Sequence, residues 1–409
     1  VFPQTTGWTN LGMGLNGSVN AVTYFNGKLI AAGGFSGGIA QWDGNTWSIL
    51  GGGLNDTVYA LTIVSNKLYA GGKFTQAGST TANNIAEWTG SQWNALGTGL
   101  SGPVYALIDY NSYVYAGGEF TNAGSTVLNN VGYWDNGNWR PCTQGVDNTV
   151  YALALNGGDM IAAGRFSSAG GSAAGKIAKW NGSNWTALGS ATFNDRIFAL
   201  EAGNGKIYAG GRFTTGGGIP SNYLAVYDGS TWSAVGGGVE DRVYALKMFN
   251  NELIVGGQHK FAGSGNSLYC NRISKWNGTS WSSYSTGMND KVNAILAPDT
   301  AISIIAAGEF TTAGGRTAYR VASWKNLSTY TISGTVKYSG SGLPVTSGKV
   351  KAIRLDLYTR EVLSVDSVNI QANGTFNLVR TRQDTVDVIA FPNDVSQVED
   401  FVPTYYPST

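Results

Sequence analysis

Residues Val58–Leu100 read VYALTIVSNKLYAGGKFTQAGSTTANNIAEWTGSQWNALGTGL. The stretch opens on Val-Tyr-Ala-Leu, passes through a Gly-Gly pair and a Phe, and closes with two Trp five residues apart and a Leu-Gly. The pattern recurs through the first three-quarters of the chain in seven copies, spaced 39, 46, 46, 47, 46 and 49 residues apart. The copies start at Val19, Val58, Val104, Val150, Ile197, Val243 and Val292. A repeat of this length fixes the architecture before any single element is assigned.

Each copy carries four strand signals, separated by Gly, Asn and Ser. In the second copy they are Val58–Val64, Lys67–Gly72, Ile85–Trp88 and Trp93–Leu96, which are rich in β-branched and aromatic residues. The turn between the third and fourth signals holds Asp-Gly or Asn-Gly in several copies, the dipeptides that tight hairpins favour. Four antiparallel strands at this period predict an all-β fold, a seven-bladed β-propeller.

The tryptophans support this register and indicate how the ring closes. Five copies contain two Trp five residues apart, and in a sixth Tyr227 precedes Trp232. The seventh copy ends at Trp324 with no fourth strand after it, whereas Trp8 lies in a fourth-strand pattern with nothing before it. We therefore expect the N-terminal strand to complete the last blade, which removes exposed sheet edges. Trp at a fixed position in every copy is expected to form the core between blades.

Composition excludes several classes of function. The chain has 409 residues, a net charge of +1 and only 12% charged residues. It has no basic stripe, so no nucleic-acid partner is expected. No apolar run reaches the ~18 residues of a membrane-spanning helix, so no membrane-spanning segment is expected. Cys142 and Cys270 fall three copies apart, too far for a disulfide, and are expected to be free thiols.

The repeat resembles known propellers. The glycines ending the second strand, the aromatic of the third and the Trp of the fourth resemble kelch repeats. The longer run from Leu-Gly-x-Gly-Leu through Val-Tyr-Ala-Leu to Tyr-Ala-Gly-Gly-x-Phe-Thr resembles more closely the propellers of fungal cell-surface polarity markers and secreted bacterial surface proteins. This resemblance covers roughly residues 7–325. It implies an extracellular or cell-surface location after removal of a signal peptide, and it implies no particular activity, because propellers host many functions.

The repeat stops near Thr329, so we predict two domains, a propeller over residues 1–328 and a β-sandwich over residues 329–409. Short strands are predicted at Tyr330–Tyr338, Lys349–Leu357, Val362–Ile370, Thr375–Val379 and Thr385–Phe391. The Ile-Ser-Gly-Thr-Val opening and the Pro-Thr-Tyr-Tyr-Pro ending resemble the carboxypeptidase-regulatory-like β-sandwich appended to secreted bacterial proteins. The resemblance implies a spacer, docking or packing module.

No catalytic set is recognisable. The single histidine, His259, provides no Ser-His-Asp or Cys-His arrangement and no His-based metal site. It falls in Gln258-His259, which we interpret as a two-residue insertion in an exposed loop. Glu119 and Glu309 are the alternative, an acid/base pair, but they belong to the third and seventh copies. We predict a non-enzymatic protein with no catalytic residues, no cofactor and no resident metal.

Two polar rings are the candidate sites. The residue two before each first strand forms a predicted ring at one mouth of the channel, with Gly17 and Gly102 in two copies and, in the others, Asp56, Asn148, Asp195, Asp241 and Asp290. It either binds a cation or polar ligand through its oxygens or only caps turns. The residue before each repeat Phe forms a predicted charged ring on the loop face, with Gly34 in the first copy and then Lys73, Glu119, Arg165, Arg212, Lys260 and Glu309. Its alternative role is charge pairing between neighbouring blades.

Two further sets of residues are candidates for the surface. Aromatics off the repeat pattern are the expected exposed ones: Tyr24, Tyr110, Tyr113, Tyr405 and Tyr406. Asn-x-Ser/Thr occurs seven times, mostly at predicted turns, where it either accepts a glycan or only shapes the turn: Asn16, Asn55, Asn181, Asn184, Asn277, Asn326 and Asn373.

These features favour a secreted or cell-surface recognition or assembly platform with protein partners or self-assembly, such as a subunit of an extracellular filament or surface layer. The alternatives are a lectin-like propeller that binds glycans and a polysaccharide-active enzyme.

Overall fold

The computed structural model of this protein describes residues 7–189, 192–298, 303–325, 330–338, 341–355, 362–380 and 387–393. Gly7–Lys325 forms one compact unit, and the described residues from Tyr330 onward belong to another. The first unit consists of seven four-stranded antiparallel sheets, so the predicted seven-bladed β-propeller is confirmed. Among the described residues the only helical element is a single 3-10 turn, Ser264–Asn266.

The blades, numbered 1 to 7 in chain order, share one strand plan. Their first strands are Val19–Phe25, Val58–Val64, Val104–Tyr110, Val150–Asn156, Ile197–Gly203, Val243–Phe249 and Val292–Leu296. Their second strands are Lys28–Gly33, Lys67–Gly72, Tyr113–Gly118, Asp159–Gly164, Lys206–Gly211, Glu252–Gly257 and Ser303–Gly308. Their third strands are Ile39–Trp42, Ile85–Trp88, Val131–Asp135, Ile177–Trp180, Leu224–Tyr227, Ile273–Trp276 and Val321–Lys325. Their fourth strands are Trp47–Ile49, Trp93–Ala95, Asn138–Pro141, Trp185–Ala187, Trp232–Ala234, Trp281–Ser283 and, for blade 7, Gly7–Asn10.

An outer hairpin between the second and third strands was not predicted as a separate element. Blades 2 to 7 have one, built from the strand pairs Gln76–Ala77 and Thr80–Thr81, Asn122–Ala123 and Thr126–Val127, Ser168–Ala169 and Ser172–Ala173, Thr215–Gly216 and Ile219–Pro220, Phe261–Ala262 and Leu268–Tyr269, and Thr312–Ala313 and Arg316–Thr317. Blade 1 has no strands in this connection, which explains why its copy spans only 39 residues.

The glycine ending each second strand is required by close backbone packing. In blade 2, a Cβ on Gly72 would lie well inside van der Waals contact of the Thr57 carbonyl oxygen, just before the first strand. The same clash recurs at the matching glycine of every blade. The preceding position is less strict: Gly71 would meet the Val104 side chain of the next blade, and blades 1, 4 and 7 have Ala there.

This difference predicts unequal effects for two adjacent substitutions. Gly72→Ala is expected to lower the free energy of unfolding by about 3 kcal/mol or more, because the new methyl group meets backbone that cannot move aside, whereas overpacking against side chains costs about 1–3 kcal/mol. Gly71→Ala, its matched control, is expected to cost less because its neighbour is a side chain. Denaturant unfolding of both variants checks this. Equal losses would mean that the carbonyl contact at Gly72 is not limiting.

The fourth-strand tryptophans connect neighbouring blades. In most blades the indole Nε1 donates to a backbone carbonyl just after the fourth strand of the preceding blade, as in Trp139 to Leu96 O (3.1 Å) and Trp185 to Cys142 O (2.9 Å). Paired tryptophans of one blade pack with ring centroids 5.2–5.6 Å apart. The predicted core role of these residues is therefore confirmed. Cys142 and Cys270 are both buried and free, as expected.

The N-terminal strand closes the ring, as predicted. Gly7–Asn10 pairs antiparallel with Val321–Lys325, with Gly7 opposite Lys325 and Asn10 opposite Ala322. Trp8 is buried and its Nε1 donates to Tyr284 O of blade 6 at 3.1 Å. The last blade is thus assembled from the two ends of the repeat region.

The second unit contains two sheets. Tyr330–Thr335 pairs with Thr375–Arg380, and Gly348–Leu355 lies between Val362–Asn369 and Asp387–Pro392. One apolar cluster draws residues from both sheets: Val336, Val345, Val350, Ile370, Phe376 and Leu378. The β-sandwich and the domain limits at residues 328 and 329 stay predictions. The Pro-Thr-Tyr-Tyr-Pro ending, with Tyr405 and Tyr406, lies outside the described residues.

Candidate binding site at the channel mouth

The first strands form the innermost ring of the propeller. Each contacts the first strands of both neighbouring blades, and the strand of blade 7 contacts that of blade 1. Every first strand has a β-bulge at its second residue, where the pairing register slips by one, as between Val58 and Ala60. The bulged residue is half-buried although both neighbours in its strand are buried in blades 2 to 6. A bulge re-aims a side chain, here around the central channel.

Five of these bulged residues form an arc of aromatic rings, which we call the aromatic collar: Tyr59, Tyr105, Tyr151, Phe198 and Tyr244. Successive ring centroids are 5.0, 5.3, 5.4 and 5.4 Å apart, within the range of aromatic pairing. Asn20 and Asn293 complete the circle, and Asn293 Nδ2 donates to Asn20 Oδ1 at 3.3 Å. The sequence signal was the middle residue of each Val-x-Ala start, aromatic in five of seven copies.

Both predicted polar rings lie at the same mouth of the channel. Each second strand ends beside the start of the first strand, so Lys73 N donates to Thr57 O at 2.8 Å, one residue after Asp56. The ring of Asp56, Asn148, Asp195, Asp241 and Asp290 has a shared local role. In each, Oδ1 accepts the next residue's backbone N–H at 2.6–2.9 Å. This is the turn-capping alternative. At Asp195 the second carboxylate oxygen pairs with Arg212, and Asn148 has an amide in place of a carboxylate.

The charged ring needs one correction. Gln258 N donates to Arg242 O at 2.8 Å. In the other blades the residue immediately before the repeat Phe makes this bond. Gln258 therefore holds the ring position in blade 6, and Lys260 does not. Lys260 lies two residues farther on, where its N–H donates to Glu240 Oε2 at 3.0 Å. The prediction of a two-residue insertion at Gln258-His259 is wrong, because His259 itself occupies the position of the repeat Phe.

Charge pairs in these rings lie within a blade. Arg212 Nε is 3.2 Å from Asp195 Oδ2 in blade 5, and Lys291 Nζ is 2.9 Å from Glu309 Oε1 in blade 7. Pairing between neighbouring blades, the alternative proposed for the charged ring, is not found for these residues. Glu309 is thereby held by Lys291, which does not favour an acid/base role with Glu119.

Burial keeps two of the collar tyrosines, Tyr59 and Tyr105, in their neutral form. Burial, followed by the nearby Glu119 carboxylate, raises the pKa of Tyr105 to about 12. Burial and then Asp56 raise the pKa of Tyr59 above its ordinary value. In blade 6 the Tyr244 hydroxyl donates to Gln258 Oε1 at 3.1 Å, and Arg242 Nη1 donates to the same oxygen at 3.3 Å. The mouth therefore brings aromatic rings, hydroxyl groups, amides and guanidinium groups together.

A polar residue three before each first strand holds the loop face together. Its oxygen accepts backbone N–H groups just past the second strand of the same blade, as in Asn55 with Thr75 N and Gln76 N at 2.9 Å. All seven blades have such a clamp: Asn16, Asn55, Ser101, Asp147, Asn194, Glu240 and Asn289. Beside the Asn55 clamp, a cleft of about 610 Å³ opens between blades 1 and 2, where blade 1 lacks an outer hairpin.

The clamp gives a second prediction, tested at blade 5. Asn194 Oδ1 accepts Thr214 N and Thr215 N, both at 3.0 Å. Asn194→Ala leaves these donors without their acceptor and is expected to cost about 1–2 kcal/mol, with faster amide exchange in the blade 5 hairpin. Asn194→Asp keeps the acceptor, as Asp147 does in blade 4, and is expected to be nearly neutral. Hydrogen exchange of both variants is the measurement, and equal protection in both would contradict the clamp.

His259 is buried, so the expectation of an exposed loop histidine is wrong. It fills the position that is Phe in the other six blades, and its Nε2 lies 3.1 Å from Ser274 Oγ. Nδ1 has no hydrogen-bond partner. Burial, aided by the Arg272 charge, lowers the pKa of His259 to about 3. A neutral, enclosed histidine of this kind belongs to the core.

Only some of the other residues predicted at the surface are exposed. Tyr24 is exposed and Tyr113 half-buried, but Tyr110 is buried and its hydroxyl donates to Gly158 O of blade 4 at 2.9 Å, so that expectation is wrong. The sequon residues Asn181, Asn277 and Asn373 accept backbone N–H groups within their own turns. Asn326 lies outside the described residues.

Across the described part of the chain, no group of three or more His, Cys, Asp or Glu side chains is arranged to hold a metal ion. Nor does any helix there have the length and apolarity to cross a membrane.

Comparison with known proteins adds a family. The model of the Rax2 C-terminal beta propeller domain matches residues 45–202 and 197–379, which is most of the chain. This chain belongs to the Rax2 C-terminal β-propeller family. The second match to the Rax2 domain runs past Lys325 into the second unit. The kelch pattern remains a resemblance. Among curated proteins, none matches this chain.

Two solved structures are similar to this Rax2-type chain. The computationally designed Ika8 protein is 17% identical, with a TM-score of 0.48, over 75% of this chain and 83% of its own. The extracellular domain of BT4673 from B. thetaiotaomicron is 13% identical, with a TM-score of 0.53, over 95% of this chain and 48% of its own. The Rax2-type chain thus spans about half of the BT4673 domain, and that likeness shows the fold alone.

Proposed function

We propose that this protein is a non-enzymatic extracellular or cell-surface protein whose propeller recognises a partner at the channel mouth. The observation that carries the proposal is the aromatic collar, whose half-buried rings lie at the mouth where both polar rings converge. Binding sites place a few polar groups around apolar and aromatic surface, as this mouth does. Residues 329–409 are proposed as a β-sandwich spacer or docking module.

The location rests on relatives. The Rax2-type propeller family and the resemblance to fungal cell-surface polarity markers support a place at the cell surface. The BT4673 domain, which shares the fold, is extracellular. The non-enzymatic assignment is supported by the family and by the structural roles of the residues that were candidates for chemistry: His259 is a core residue and Glu309 pairs with Lys291.

The experiment blocks one end of the channel at a time. Both native cysteines are buried, so a single introduced cysteine can be labelled selectively with a maleimide polyethylene glycol. Lys73→Cys places the polymer at the mouth. Lys28→Cys, at the exposed start of a second strand and so at the opposite end of the strands, is the matched control. Retention of each labelled protein by intact source cells is measured, and light scattering on the same samples tests whether the partner is a second copy.

We expect the label at position 73 to abolish retention or copy-to-copy association and the label at position 28 to leave it unchanged. Equal retention after both labels would refute recognition at this mouth.

A further inference from the structure

The charges at the channel mouth are not evenly distributed. Blades 4 to 6 supply four arginines at the mouth, which we call the arginine side: Arg165, Arg196, Arg212 and Arg242. The acids in the same segments of these blades are Asp147, Asp195, Glu240 and Asp241. Blades 2, 3 and 7 hold more acids than bases there, with Asp56, Glu119, Asp290 and Glu309 against Lys73 and Lys291.

The arginines are incompletely paired with these acids, because Asp147 and Glu240 accept backbone N–H groups instead. Arg165 is exposed, and no described residue forms an ion pair or hydrogen bond with its side chain. Arg196 and Arg212 share Asp195, at 3.8 and 3.2 Å. Arg242 contacts the neutral amide of Gln258 at 3.3 Å. Guanidinium groups left with donors to spare are suited to carboxylates, which they bind through two parallel hydrogen bonds.

The arginines flank the part of the collar that runs through the same blades. Tyr151, Phe198 and Tyr244 are consecutive, with ring centroids 5.4 Å apart at both steps. Arg165 N donates to Thr149 O, and Arg212 N to Arg196 O, both at 2.9 Å, which fixes these arginines beside the starts of the first strands of blades 4 and 5. Aromatic rings and guanidinium groups therefore lie on one side of one opening.

Resting on the proposed function, we propose that the arginine side binds an acidic oligosaccharide, with sugar carboxylates on the arginines and sugar rings against the collar. Arginine clusters also bind acidic peptide motifs, but peptide recognition otherwise relies on apolar anchors in pockets or on an added β-strand. The mouth instead offers aromatic rings beside hydroxyl and amide groups, among them the Tyr244 hydroxyl and the Gln258 amide, which suit a chain of hydroxyl groups. These observations favour a glycan over an acidic peptide.

The test uses three carboxylated probes: oligogalacturonate, oligomannuronate and hyaluronan oligosaccharides of four to six sugars. The methyl ester of oligogalacturonate is the matched neutral probe, and hexaglutamate represents an acidic peptide. Calorimetry is run on the full chain, on Arg165→Gln and on Arg165→Gln/Arg212→Gln/Arg242→Gln. Arg140→Gln is the control because Arg140 lies on a fourth strand, where it pairs with Asp135 at 3.5 Å.

We expect at least one carboxylated probe to bind, with affinity that falls as salt rises. The triple variant should bind at least tenfold more weakly, since a hydrogen bond to a charged group contributes about that much. Arg165→Gln, whose side chain has no structural partner to lose, should weaken binding without changing thermal stability. Arg140→Gln should bind like the unchanged chain.

Three results would overturn the inference. They are equal binding of the acid and its methyl ester, binding of hexaglutamate but of no glycan, and binding of no probe at all. In each case the cysteine-labelling experiment still decides whether the mouth recognises some other partner, so failure of the glycan proposal is distinguishable from failure of the proposed function.

Discussion

Replacing Trp8 by alanine is expected to lower the free energy of unfolding of the propeller by about 3–5 kcal/mol, the cost of truncating a buried Trp. The side chain is 3% exposed and packs against Trp324 and Tyr284, with ring centroids 5.3 and 6.0 Å away. Its Nε1 bond to Tyr284 O is lost as well. The strand that carries Trp8 is held by one pairing, with Val321–Lys325, so its loss exposes a sheet edge.

The measurement is denaturant unfolding followed by circular dichroism, with size-exclusion chromatography to detect association through the exposed edge. Trp47→Ala is the matched control, because Trp47 is also a fourth-strand Trp with an Nε1 bond, to Leu11 O, but is only half-buried and does not lie on the closing strand. Met13→Ala, at a residue 92% exposed, should have no effect. A Trp8→Ala loss no larger than that of Trp47→Ala would contradict closure by the N-terminal strand.

Acid is expected to destabilise the propeller through His259. The pKa of this buried imidazole falls from 6.5 to about 3 on folding, so below pH 6.5 the unfolded chain binds a proton that the folded chain excludes. Stability is therefore complete above pH 6.5 and falls as the pH drops toward 3, by up to about 1.4 kcal/mol per pH unit. Carboxylates also titrate in this range, so the contribution of His259 is measured as a difference between variants.

The double variant His259→Phe/Ser274→Ala isolates that contribution. It restores the pairing of the other blades, where the first position is Phe and the second is Ala or Gly. His259→Phe alone would leave the buried Ser274 hydroxyl with only the Cys270 thiol as a partner. The double variant removes that hydroxyl and the unpartnered Nδ1 together. We expect it to be more stable than the unchanged chain, with a difference that widens as the pH falls from 6.5.

Thermal unfolding across pH 4 to 8 checks this, with His259→Phe and Ser274→Ala completing the double-mutant cycle. A constant difference at all pH values would mean that His259 takes up a proton without hindrance in the folded state.

The architecture was predictable because the same strand pattern recurs in all seven copies of the repeat. The glycine that ends each second strand and the Trp of the fourth strand recur at fixed positions. Each copy alone predicts its strands only weakly, but seven copies in the same register predict them strongly. The outer hairpins were missed because strands of two residues, such as Gln76–Ala77, carry no periodicity. The second unit has no repeat, and its strand bounds were correspondingly less well predicted: the strand predicted at Tyr330–Tyr338 is Tyr330–Thr335.

The candidate site was predicted only in part. Strand order alone brings the two polar rings together, because the end of each second strand adjoins the start of the first. The aromatic collar could not be read from alternation, since the bulge at Tyr59 breaks the two-residue period that assigns a side chain to a face. His259 was predicted in an exposed loop because a His at the position of the repeat Phe resembles an insertion in the sequence. The bond from Lys260 N to the clamp residue Glu240 establishes the alignment with the other blades.

Closure of the ring by Gly7–Asn10 also determines how the propeller would carry a pulling force. Gly7 and Lys325 face each other at the same end of a short antiparallel ladder. Tension applied to the chain at these two residues would load the Gly7–Lys325 pair first. The residue pairs of the ladder would then separate one after another rather than all at once. Blade 7 is then the mechanically weakest blade. If the chain is pulled only at Lys325 and at a site in another blade, the Gly7–Asn10 strand is not loaded directly and stays paired.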